Sequence, residues 1–117
     1  MKTCLFLSDD LFFSSRIQNA AEMSGWRLQM LPTEQSVVDF IANNEYQLVI
    51  IDLACGEFSA RNAMQIFEDD EPRIIAYASH VQEAMIEEAK LSGCDLVLTR
   101  GQLDAQVNSF FEWATAL

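Results

Sequence analysis

The sequence predicts a doubly wound α/β domain, in which helices cover both faces of one parallel β-sheet. Five short strand-like runs alternate with five segments of helical apolar spacing along the 117 residues. Two of the runs, Leu48–Leu53 and Arg73–Ala78, are almost continuously apolar, as strands buried on both faces are. Strict alternation of strand and helix favours parallel strands joined by right-handed crossovers.

Each predicted strand is followed by a helix whose apolar residues recur three and four positions apart. The strands are Thr3–Ser8, Trp26–Leu31, Leu48–Leu53, Arg73–Ala78 and Leu96–Thr99. The helices are Leu11–Ser24, a segment from Thr33 to the Asn43-Asn44 pair, Ser59–Glu68, Val81–Ser92 and Leu103–Ala116. Gly25 and Gly93 end the first and fourth helices, and Thr33 is placed to cap the second.

Composition and charge narrow the class of protein. Half of the residues are apolar and the net charge is −11, so the chain should fold around one core and repel nucleic acid and anionic membranes. No apolar run approaches the ~20 residues of a membrane span, and the start has no signal-peptide pattern. Three cysteines without a CxxC pair fit a reducing compartment. We therefore expect one cytoplasmic domain over residues 1–117, without an output domain.

Polar side chains follow four of the five strands, at the edge where ligands of doubly wound folds bind. They are Asp9 and Asp10 after the first strand, Asp52 in the third, Ser79 and His80 after the fourth, and Arg100 after the fifth. Three carboxylates at one edge would repel each other unless a hard cation such as Mg²⁺ were bound. Alternatively, Asp9 and Asp10 cap the first helix.

These residues carry a resemblance to a known family. The Asp9-Asp10 pair, Asp52 in the third strand, the fivefold alternation and the Gly93-Cys94-Asp95 turn are similar to the receiver domain of two-component response regulators, over essentially the whole chain. The resemblance implies a flavodoxin-like sheet of strand order 2-1-3-4-5. It also implies Mg²⁺ at Asp9, Asp10 and Asp52, with Asp52 as acceptor of a phosphoryl group from a histidine kinase or phosphotransfer protein.

The remaining positions depart from the family pattern. Arg100-Gly101 stands for the usual Lys-Pro pair, Val97 for the switch aromatic, and Ala78 for the Thr or Ser after the fourth strand. Arginine is a bulky planar fork whose reach differs from that of the family's compact ammonium, and Arg100 could neutralise Asp52 without transmitting a switch. Ser79 could contact a phosphoryl group, or it could open a capping box with Gln82.

The sequence leaves two functions open. One is a single-domain receiver in phosphorelay signalling, with Asp52 as phosphoacceptor and Ser79 and Arg100 beside it. The other is a receiver-like interaction module that works without phosphorylation and lacks the switch residues. A metal-dependent hydrolase is disfavoured because no second base or nucleophile with the required neighbours appears, so we expect no enzyme.

The expected partners are proteins. The resemblance implies an effector that docks on the face formed by the fourth helix, the fifth strand and the fifth helix, and it allows pairing with a second copy. We expect Val97, Phe110, Phe111 and Trp113 to supply apolar area there.

Overall fold

A five-stranded parallel sheet forms the centre of the molecule, as the alternation of elements predicts. The computed structural model describes residues 1–116; Leu117 lies outside the described residues. The strands are β1 Lys2–Leu7, β2 Trp26–Met30, β3 Leu48–Asp52, β4 Arg73–Ala78 and β5 Leu96–Thr99. The helices are α1 Leu11–Met23, α2 Glu34–Ile41, α3 Ala60–Phe67, α4 Glu83–Leu91 and α5 Arg100–Thr115, with a short 3-10 helix at Leu53–Cys55.

The strand order is β2-β1-β3-β4-β5, which confirms the predicted topology. All four strand pairs are parallel, and β1 pairs with β3 so that Leu7 lies opposite Ile51. The residues that follow β1 therefore stand beside the end of β3. This register places the Asp9-Asp10 pair and Asp52 at one edge of the sheet.

Two hydrophobic clusters pack on opposite faces of the sheet. One cluster joins α1 and α5 to the sheet through side chains such as Ile17 and Phe111, and the other joins α2, α3 and α4 through side chains such as Val37 and Phe67. Every residue of β3 is buried, because helices cover both of its faces. No helix within residues 1–116 is long and apolar enough to cross a membrane.

Capping side chains set the starts of four of the five α-helices. Thr33 caps α2 and Ser59 caps α3 through their side-chain oxygens, in agreement with the predicted starts. The predicted start of α5 at Leu103 is wrong by three residues. Thr99 and Gln102 form a capping box that begins the helix at Arg100, which puts Arg100 in the first helical turn.

Two of the apolar residues predicted to lie on the docking face are instead buried in the core. Phe110 is 7% exposed and Phe111 is fully buried against Trp26, with ring centroids 5.7 Å apart. Their helical spacing was compatible with either a docking surface or a core stripe, and the sheet face buries them. Only Val97 and Trp113 of the expected set are partly exposed.

The burial of Phe111 gives the first prediction. Phe111→Ala should lower the free energy of unfolding by about 3–5 kcal/mol, because it removes a ring from a packed core. Urea denaturation followed by circular dichroism measures the change. Phe12→Ala is the matched control, since Phe12 is 93% exposed, and it should change stability by less than about 0.5 kcal/mol. A loss for Phe111→Ala as small as the control's would contradict this packing.

Candidate functional site at the carboxyl edge of the sheet

Asp52 is a buried carboxylate at the end of an apolar strand. Only 4% of the residue is exposed, and both of its carboxylate oxygens accept hydrogen bonds. Ser8 Oγ donates to Oδ2 at 2.6 Å, and the Ala54 backbone N–H donates to Oδ1 at 2.9 Å. These donors compensate for the loss of hydration that burial imposes on a carboxylate.

Asp10 caps α1 instead of facing Asp52. Its Oδ1 accepts from the backbone N–H groups of Phe12 and Phe13 at 3.1 and 3.0 Å, which confirms the capping alternative for this residue. The Phe13 N–H is the main cause that lowers the pKa of Asp10, and the charge of Arg100 adds to it. Asp9 is exposed beside it.

Arg100 pairs with Asp10, so the expectation that it could neutralise Asp52 is corrected. Arg100 Nη2 lies 2.8 Å from Asp10 Oδ2. The guanidinium also lies over the Phe13 ring, 4.6 Å from its centroid, where the ring quadrupole attracts it. The capping box places Arg100 in the first turn of α5, and the packing of α5 against α1 brings that turn to Asp10.

The three acids do not form a preformed metal centre. Across the described residues, no three His, Cys, Asp or Glu side chains are grouped so that they could hold a metal ion. One oxygen of Asp10 caps α1 and the other faces Arg100, while both oxygens of Asp52 already accept hydrogen bonds. The donor set therefore does not fit Mg²⁺ in this arrangement, because the acids are not grouped around a common position that a cation could occupy.

Ser79 and Arg100 meet at a separate pocket of about 510 Å³. Its lining residues are Phe13, Ser79, His80, Thr99, Arg100, Gly101 and Asp104, and Asp9 and Asp52 are not among them. The proposed capping box at Ser79 is only half present. Gln82 Oε1 accepts from the Ser79 N–H at 2.8 Å, but α4 begins at Glu83 without a side-chain cap, so Ser79 does not cap that helix.

Two residues of the site, Ser8 and Tyr77, were not predicted from the sequence. Ser8 is fully buried and links the acids, because its Oγ donates to Asp52 and accepts from the Asp10 N–H at 3.0 Å. Tyr77 stands opposite Asp52 on β4. A polar residue next to an acidic pair could have indicated Ser8, whereas the position of Tyr77 depends on strand register.

The Tyr77 hydroxyl is buried and, within residues 1–116, has no hydrogen-bond partner. Its ring packs edge-on against Phe13 with centroids 5.5 Å apart, and it stacks against Phe6. Burial is the main cause that raises the pKa of Tyr77, and the charge of Asp52 adds to it. The aromatic packing therefore holds the phenol close to the carboxylate of Asp52 and to the hydroxyl of Ser8.

Cys55 stands beyond the end of β3 and is half-buried. Burial raises the pKa of its thiol, and the charges of Asp52 and Asp9 raise it further. The thiolate is therefore disfavoured, which makes Cys55 a poor nucleophile.

Comparison with solved structures identifies the fold. A response regulator from Thermotoga maritima superimposes with a TM-score of 0.83 at 16% identity, over 100% of this chain and 99% of that one. The receiver domain of a signal transduction histidine kinase from Syntrophus aciditrophicus gives 0.82 at 14% identity, over 99% and 91%. A Francisella receiver domain gives 0.77 at 16% identity, over 97% and 96%.

No protein-family model matches the sequence, and a search of curated proteins gives no match. The chain has the flavodoxin-like receiver fold of response regulators, which confirms the fold that the sequence predicts. At these identities the likeness concerns the fold alone.

The pKa of Asp10 gives a prediction for stability against pH. A carboxyl whose pKa is lowered by folding stabilises the folded state above its unfolded-state pKa of about 4, and that stabilisation is lost as the pH falls through the folded value. Asp10→Asn keeps the cap and removes the charge. At pH 7 it should cost about 0.2–1 kcal/mol, a small value because Arg100 is half exposed.

Urea denaturation between pH 7 and pH 2 measures this difference, which should shrink below about pH 4. Asp69→Asn is the control, because Asp69 is exposed and remote from Arg100 in the fold. If the loss of stability caused by Asp10→Asn grew as the pH fell, folding would not lower the pKa of Asp10 as expected.

The buried hydroxyl of Tyr77 gives a third prediction. Tyr77→Phe keeps the ring stack and removes a buried polar group without a partner, so stability should stay unchanged or rise by up to about 1–3 kcal/mol. Thermal and urea denaturation measure it. Tyr46→Phe is the contrasting control, because the Tyr46 hydroxyl donates to Asp70, and its loss should destabilise by about 0.5–1.5 kcal/mol. A clear loss of stability for Tyr77→Phe would mean that the phenol bonds to Asp52.

Proposed function

We propose that this chain is a receiver-like signalling module that binds a protein partner without phosphorylation of Asp52. The proposal rests on the ion pair between Arg100 and Asp10. The Arg100 side chain puts a positive charge at the carboxyl edge of the sheet and pairs with one of the two acids that follow β1. In this proposal the module works by contact with another protein and not as an enzyme.

The state of Asp52 supports the same conclusion. A phosphoacceptor needs an accessible carboxylate oxygen and positive charge that neutralises the transferred phosphoryl group. Asp52 is buried and holds two hydrogen bonds. The charge of Arg100, which could serve that purpose, faces Asp10 at 2.8 Å.

The parts that would transmit a switch are also missing. Ala78 at the end of β4 is fully buried and has no hydroxyl, and Val97 stands on β5 where the resemblance calls for an aromatic. A phosphoryl group at Asp52 would have no side chain at either position to pull or to rotate. An interaction module needs neither change.

The second candidate is a phosphorelay receiver with Asp52 as acceptor and Mg²⁺ bound by Asp9 and Asp10. It is favoured by the placement of Asp52 at the end of β3, beside the residues that follow β1. In that reaction an Asp52 oxygen would attack phosphorus, and the bond from phosphorus to the donor's histidine nitrogen would break. For this to happen, Asp10 must first leave Arg100.

Treatment with acetyl phosphate and Mg²⁺ separates the two candidates. We expect intact-protein mass spectrometry to show no phosphoryl adduct on the wild-type protein, because Asp52 is buried and the charge of Arg100 is engaged. We expect beryllofluoride with Mg²⁺ to leave the amide spectrum of residues around Asp52 unchanged. A receiver domain known to accept acetyl phosphate serves as the positive control.

An adduct that forms on the wild-type protein and is lost in Asp52→Asn would overturn the proposal in favour of the phosphorelay receiver. Arg100→Lys is the informative companion variant. An adduct on this variant alone would support the assignment of Arg100 as the residue that keeps the site unreactive.

A further inference from the structure

A groove runs between α3 and α4, on the face of the sheet opposite α1 and α5. Its volume is about 640 Å³, and its lining residues are Arg61, Ala84, Glu87, Glu88, Leu91 and Ser92. We call it the α3–α4 groove. The α4 positions from Ala84 to Leu91 follow the spacing of one helix face, so a single side of α4 forms one wall.

A smaller cavity of about 80 Å³ adjoins this groove and shares Glu88 with it. Its walls include Leu53, Phe58 and Met85, all apolar. Both cavities lie against α4. Together they form an open groove with a small, mostly apolar pocket beside it, a shape that an amphipathic helix can enter.

The groove exposes apolar surface that no element of the chain covers within residues 1–116. Leu91, which lines the groove, is 83% exposed, and Met85, which lines the adjoining cavity, is 39% exposed. Burying the exposed part of these side chains in an interface is favourable. These two residues can therefore supply the apolar core of a modest interface.

The net negative charge around the groove indicates the charge of its partner. Glu87 and Glu88 form no ion pair among the described residues, whose three ion pairs involve other side chains. Arg61 on the opposite wall is the single basic residue that lines the groove. Two glutamates against one arginine, on a chain of net charge −11, favour a basic partner.

We propose that the α3–α4 groove binds a basic amphipathic helix of a protein partner. The apolar side of that helix would lie on Leu91 and Met85, and its lysines or arginines would face Glu87 and Glu88. A second copy of this chain is disfavoured as occupant because two chains of charge −11 repel each other. The proposal rests on the proposed function, because it identifies where an interaction module would bind.

A designed peptide provides the probe. It is a dye-labelled helix of about 15 residues, long enough to be partly helical in water, with leucines on one face and lysines on the other. A second peptide carries glutamate in place of lysine. We expect fluorescence anisotropy to show binding of the lysine peptide only, weakened by salt, and amide shifts to map its contacts to α3 and α4.

Variants at exposed positions then test the location. Leu91→Gln and the charge reversal of Glu87→Lys with Glu88→Lys should each weaken binding by about tenfold, the cost of losing a central contact. Met23→Gln and Glu45→Lys are the matched controls, since both residues are exposed and lie elsewhere. They should change affinity by no more than about twofold.

Amide shifts confined to another surface, or equal losses in the groove and control variants, would overturn the proposal. So would a failure of the lysine peptide to bind. These outcomes can be told apart from a failure of the proposed function, because binding of the peptide is measured with unphosphorylated protein. A phosphoryl adduct at Asp52 would refute the proposed function and leave the groove result unaffected.

Discussion

The burial of one carboxylate, Asp52, constrains the whole carboxyl edge of the sheet. The strand before it is apolar and covered on both faces, so the charge is far from bulk water and needs donors close by. Ser8 supplies one donor and the turn after β3 supplies the other. Because Ser8 also accepts from the Asp10 N–H, the requirement of Asp52 fixes the loop that begins α1.

The same loop couples α1 to α5. Asp10 ends the loop as the cap of α1, and its second oxygen holds Arg100 in the first turn of α5. A second ion pair, between Arg16 and Asp104 at 3.1 Å, joins the same two helices farther along. Both pairs are partly exposed, so they orient the helices more than they stabilise them. The buried side chains between the helices provide most of the stability.

The pattern of charges then separates two surfaces with different roles. At the carboxyl edge, Arg100 offsets one acid, and Asp52 is shielded by its donors. On α4, Glu87 and Glu88 stand at the α3–α4 groove without an ion pair inside the described chain. A negative charge that is neutralised internally contributes little to recognition, whereas unpaired charge beside exposed Leu91 can attract and orient a basic partner.

The amino-acid sequence alone was enough to predict the class of fold, because the alternation of short apolar runs with segments of helical spacing is visible along the chain. It also located Asp10, Asp52 and Arg100 at the carboxyl edge, since parallel strands all end on the same side. Which of these groups pair depended on the folded structure. Strand register set Tyr77 opposite Asp52, the packing of α5 against α1 brought Arg100 to Asp10, and sheet packing buried Phe110 and Phe111. Each outcome depends on contacts between residues distant in the chain.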